Sequence, residues 1–97
     1  MRNDILTEKI IGCCFKVHSE LGPGFNETIY HNALCLSFAK EKLNYETEKE
    51  FIVSFLGKKA GKFRVDLVVE NKVIVELKSV SAAIVISIAT AFLSKSF

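Results

Sequence analysis

Residues 63–80 read FRVDLVVENKVIVELKSV, two runs rich in Val, Ile and Leu parted by Glu70, Asn71 and Lys72. Side chains alternate faces along a strand, and a short polar break between two such runs builds a hairpin. Asp66, Glu76 and Lys78 interrupt the apolar pattern. A charge among apolar neighbours is costly unless something pairs it. A fold for this chain must therefore hold an apolar antiparallel hairpin and also supply partners for its charges.

Loop length decides how those charges meet. If Glu70, Asn71 and Lys72 form a three-residue loop, Asp66 lies directly opposite Glu76, with facing Cβ atoms about 5 Å apart. Lys78 then shares their face. A two-residue loop would set the carboxylates on opposite faces unless a bulge intervened. Carboxylates that close repel unless a cation or a shared proton lies between them. Clustered carboxylate oxygens suit Mg²⁺, and a lysine beside them can orient water or stabilise charge on a phosphate. The competing reading of Glu76 and Lys78 is a cross-strand ion pair on the wet side of a sheet. Apolar Val65, Leu67, Ile74 and Val75 favour a sheet covered on both faces instead.

Upstream, the period is helical. Leu6, Ile10, Cys14, Val17 and Leu21 predict a helix over about residues 6–21, ended by LGPG. Gly22 supplies a left-handed cap there, and Pro23 cannot continue the helix. A second helix is expected from near Asn26 to about Lys42, with Asn26 as N-cap and a core stripe of Tyr30, Leu34 and Phe38. Glu27 heads that stripe; the helix dipole alone would also favour a carboxylate there. TEKEFIVSFL then reads as a strand, Gly57 and Lys58 as a tight turn, and residues 59–69 and 73–80 as two further strands. The stretch Ala82–Leu93 is almost wholly apolar. It is shorter than the roughly 20 residues a bilayer span needs. A buried helix is the expectation, with a strand as the alternative because IVISI is β-branched.

The expected fold is therefore α+β and sandwich-like: two N-terminal helices, a three-stranded antiparallel meander and an apolar C-terminal helix. All 97 residues form one domain, since no linker or repeat divides them. Net charge is only +2, too weak by itself to imply nucleic-acid binding. Lys58, Lys59, Lys62 and Arg64 do cluster, as a solvated turn or as a phosphate-contacting patch. The polar N-terminus is no secretory segment, and the odd number of cysteines, Cys13, Cys14 and Cys35, reads as free thiols in a reducing cytoplasm. No CxxC or HxxH spacing supports zinc, and His18 and His31 have no partner legible in the sequence.

ELGPGFNETIY followed by FRVDLVVENKVIVELKSV resembles the GxxExxY proteins of the PD-(D/E)XK nuclease-like superfamily. Gly24, Glu27 and Tyr30 stand at the eponymous positions, and Asp66, Glu76 and Lys78 match the D…ExK signature. The resemblance implies a restriction-endonuclease-like core of helix, three-stranded meander, helix and fourth strand. It also implies Mg²⁺- or Mn²⁺-dependent cleavage of phosphodiester bonds in DNA or RNA. On this basis Asp66, Glu76 and the Leu77 carbonyl would ligate the metal. Glu27 would be an accessory acid, Lys78 the base or electrostatic helper, and Tyr30 an accessory residue. The chain departs from the pattern after Val80. SAAIVISIATAFLSKSF carries no Gln or His, and the last strand of the core is expected to be missing.

Two functions compete. One is a metal-dependent nuclease-like domain; the other is a catalytically inactive remnant that binds nucleic acid or assembles with protein. A third reading makes the carboxylates structural partners of Lys78 and Arg64. An all-apolar helix and an unpaired sheet edge would also drive self-association into a homo-oligomer.

Overall fold

A computed structural model describes residues 3–80 and 83–90. Helices α1 (Asn3–Leu21) and α2 (Glu27–Lys40) precede strands β1 (Tyr45–Phe55), β2 (Lys58–Val69), β3 (Val73–Val80) and β4 (Ala83–Thr90). The strands form one antiparallel sheet in the order β1-β2-β3-β4.

The helices start and stop for the expected reasons. Asn26 Oδ1 accepts from the Ile29 N–H at 3.1 Å and caps α2. The N–H of Gly22, at φ +68°, returns to the His18 carbonyl and closes α1. Between the helices, the buried Tyr30 hydroxyl donates to the Gly22 carbonyl, and its ring meets Phe25 edge-on at 6.2 Å. Tyr30 is thus a structural clamp on the α1–α2 turn.

Tyr30, Leu34 and Phe38 form the buried stripe of α2. They pack with Leu6, Ile10, Cys13 and Val17 of α1 over Leu67, Val69, Val73, Val75 and Leu77 of the sheet. Cys13 occupies the buried row of α1, and Cys14 lies half-buried beside it. Val65, Val68 and Ile74, with Phe51 against them, make a second cluster on the face away from the helices.

The C-terminal expectation is corrected. Residues 83–90 are a strand paired with β3 along its whole length, from Val80↔Ala83 to Val73↔Thr90. Ala82 and residues 91–93 lie outside the described residues. The β-branched residues Ile84, Val85, Ile86 and Ile88 explain the outcome, because branching at Cβ restricts side-chain rotation in a helix and suits a pleated surface. The sheet therefore has four strands, where a three-stranded sheet lacking its last strand was expected. The all-apolar helix, one ground for expecting self-association, disappears with that correction, while the open edge moves from β3 to β4. Among the described residues no helix is long and apolar enough to cross a membrane.

The first hairpin turn lies one residue earlier than expected, and the second loop is as expected. Phe55 pairs with Lys58, so the β1–β2 turn is Leu56–Gly57, both at positive φ (+54° and +75°). That is the primed turn whose twist matches a two-residue hairpin. The β2–β3 loop is Glu70–Lys72, since Val69 pairs with Val73. Glu70 and Asn71 take positive φ, and the Lys72 N–H donates to the Val69 carbonyl at 3.0 Å.

Pairing between β2 and β3 is brief. It comprises Val69↔Val73, Val68↔Ile74 and Leu67↔Val75, and it ends there. Beyond those pairs the sheet forks into a β1–β2 ribbon and a β3–β4 ribbon.

Candidate active site at the fork of the sheet

Asp66 and Glu76 are the first residues past the β2–β3 ladder. Extending the register places them opposite one another, as the three-residue loop requires. Backbone pairing stops there, and a side chain takes its place: Asp66 Oδ2 accepts from the Leu77 N–H at 2.8 Å. In a strand the N–H and C=O of one residue point to the same neighbour. The Leu77 carbonyl is therefore directed toward β2 as well.

The strand faces explain why Asp66 reaches into the gap. Leu67 packs under the helices, while Val65, two residues away, packs with Val68, Ile74 and Phe51 on the other face. Strict alternation would have kept Val65 and Leu67 together. It fails at Asp66, across from Glu48, which adopts φ +51° between the pairs Thr47↔Leu67 and Lys49↔Val65. This local reversal leaves the register unchanged and turns Asp66 toward β3.

On the helix side, an open cleft of 730 Å³ is lined by Glu27, Thr28, His31 and Cys35 of α2, by Thr47 and Glu48 of β1, and by Asp66 and Leu77. Glu27 and Asp66 thus border one space. Glu76 and Lys78 do not line it. Val73, Val75 and Leu77 face the helices, so alternation puts Glu76 and Lys78 with Ile74 on the opposite face. Glu76 is half-buried and Lys78 exposed. The site residues inferred from sequence are therefore divided: Glu27 on the helix side, Glu76 and Lys78 on the far side, and Asp66 at the fork between them. Tyr30 stands apart at its turn.

Sequence reasoning missed His31, whose Nε2 lies 3.5 Å from the Asp66 carbonyl oxygen. Its position one turn after Glu27 on α2 was the available signal. The suggestion that Arg64 pairs with these carboxylates is also corrected: Arg64 bridges to Glu48 at 2.8 Å. Among the described residues neither Glu76 nor Lys78 makes an ion pair. A separate apolar groove of 510 Å³, between α1 and α2 and lined in part by Cys13, Val17, Ala33 and Leu36, holds none of these groups.

The model of the PD-(D/E)XK nuclease superfamily matches residues 4–90. The chain belongs to that superfamily. No curated protein and no solved structure matches it. PD-(D/E)XK nucleases generally use divalent metal ions. Among the described residues no three His, Cys, Asp or Glu side chains gather as a ligand set. The arrangement does not suit a closed protein cage. Its donor chemistry suits Mg²⁺, which binds through one or two carboxylates and keeps several waters. Asp66 offers such a carboxylate, with one oxygen already fixed by the Leu77 N–H.

Proposed function

We propose that this chain is a divalent-metal-dependent nuclease that cleaves phosphodiester bonds of DNA or RNA at the fork. The observation that carries this reading is the Asp66 carboxylate docked on the Leu77 backbone, next to Glu76, in a chain of this superfamily. Asp66, Glu76 and the Leu77 carbonyl would hold Mg²⁺ or Mn²⁺. The ion, when bound, supplies Lewis-acid charge stabilisation and makes a bound water more acidic. The hydrogen bond from Leu77 pre-positions Asp66, so little reorganisation is needed on binding. Lys78, exposed and on the Glu76 face, is the group to activate water or meet charge on the phosphate. Glu27 is an accessory carboxylate acting across the cleft from the helix side.

The test is metal-dependent cleavage of DNA and RNA by the wild type and by Asp66→Ala, Glu76→Ala, Lys78→Ala and Glu27→Gln. The first three should fall to background, and Glu27→Gln should lose less. Metal binding is read separately. A ligand at about 100 times its dissociation constant stabilises the folded state by roughly 2.7 kcal/mol. Mg²⁺ should therefore raise the melting temperature of the wild type and leave Asp66→Ala unchanged. An equal rise in both proteins would be a nonspecific ion effect. The division of Glu27 from Glu76 and Lys78 favours the second reading, an inactive remnant that binds without turnover. Nucleic-acid binding without cleavage or metal stabilisation would favour it over the first.

A further inference from the structure

Beyond the fork, β1 and β2 continue as a two-stranded ribbon. From Lys58 to Asp66 it extends about 25 Å at the usual strand rise. From Phe51 to Phe63 there is no acidic residue, while Lys58, Lys59 and Lys62 lie in that span. All three are exposed, and among the described residues none of them makes an ion pair. Phe55 and Leu56 at the tip are 70% and 85% exposed.

Register sorts these side chains by face. Phe51 belongs to the cluster away from the helices, so its partner Phe63 lies on that side too. The intervening pairs Glu50↔Arg64, Ile52↔Lys62 and Ser54↔Lys59 therefore lie on the helix side, which is the side of the cleft. A bulge between Val53 and Ser54 keeps Lys59 in that row and adds twist to the ribbon. Lys59 and Lys62 thus lie on the cleft side of the ribbon, and the next residue of that row toward Asp66, Arg64, is paired with Glu48 and lies opposite Glu50.

We propose that the β1–β2 ribbon is the duplex-DNA grip of this protein, with Lys59 and Lys62 on phosphates and the apolar tip against base edges. The inference rests on the nucleic-acid reading above and assigns its binding surface. Charge complementarity favours a polyanion, and shape favours B-form DNA. The B-DNA major groove, about 12 Å wide, admits a two-stranded ribbon. The A-form major groove of RNA is too deep and narrow for side chains to read. Exposed apolar residues at the tip match the thymine methyl groups on that groove's floor.

The experiment is fluorescence anisotropy with a labelled DNA duplex in EDTA, over a salt series, so that binding is read without turnover. Each phosphate contact contributes about 1 to the slope of log affinity against log salt. The Lys59→Gln/Lys62→Gln variant should bind more weakly, with a slope shallower by about 2. Lys59→Arg/Lys62→Arg should restore both. Lys16→Gln/Lys40→Gln, an equal charge loss at the helices, should leave both unchanged. Unchanged binding by the Lys59→Gln/Lys62→Gln variant, no binding by the wild type, or equal affinity for an RNA duplex of the same length would overturn the inference. Failure of cleavage with ribbon-dependent binding intact would sink only the catalytic reading. Cleavage with ribbon-independent binding would sink only this one.

Discussion

Removing the Asp66 carboxylate sets two effects against each other, and the geometry decides the winner. Asp66→Ala deletes the hydrogen bond to the Leu77 N–H at the end of the β2–β3 ladder. A hydrogen bond to a charged acceptor contributes about 1.5–3 kcal/mol, and half-burial puts this one near the lower end. The same substitution relieves repulsion from Glu76. Both carboxylates are only half-buried, and even at about 4 Å in water like charges repel by only about 1 kcal/mol, so the hydrogen bond wins. The net expectation, without metal, is a loss of about 0.5–1 kcal/mol. For a domain of this size each kcal/mol moves the melting temperature by about 4–8 °C. Urea titration in EDTA, followed by circular dichroism, measures the change directly. Asp66→Asn keeps a neutral acceptor and should lose about half as much. Glu76→Ala makes no such bond and should be neutral or slightly stabilising. An Asp66→Ala protein as stable as the wild type, or more so, would refute the reasoning: repulsion would then outweigh the clamp.

Leu56 sits in the β1–β2 turn at φ +54° and is 85% exposed. Left-handed backbone costs an ordinary residue roughly 1–2 kcal/mol, so Leu56→Asn should raise the urea midpoint by a gain near 1 kcal/mol. Cys14 has its thiol pushed up to about 11, mainly by burial and next by neighbouring Cys13. The unfolded thiol ionises near its ordinary value of 9.0 while the folded one stays protonated. The folded state then holds more protons, so stability should be flat below that value and fall as pH rises toward 11. Chemical denaturation across that window should show a shallower fall in Cys14→Ala.

Much of the frame was legible because local rules agreed. Asn26, Gly22 and Pro23 punctuate the helices, and the Tyr30–Leu34–Phe38 stripe faces the core as its spacing requires. The β2–β3 loop was readable to the residue, because alternation in both strands constrains its length. The C-terminal strand was not, since an almost unbroken apolar run carries neither period. The division of the D…ExK residues was hidden for a different reason. It arises from one backbone reversal at Glu48, a residue type with no preference for positive φ. Every face assignment upstream of that point inverts with it, and no pattern of apolar residues announces the change. His31 approaches Asp66 only because α2 crosses the sheet where it does.

The short β2–β3 ladder also has a mechanical meaning. A sheet is stiff because each strand is braced by its neighbours. Where bracing stops at Leu67 and Val75, stiffness drops to that of two separate ribbons. Bending concentrates at that junction, much as in a pair of tweezers. A load on the β1–β2 ribbon is then felt first as a change in the separation of Asp66 from Glu76, with the Leu77 hydrogen bond as the spring that restores it.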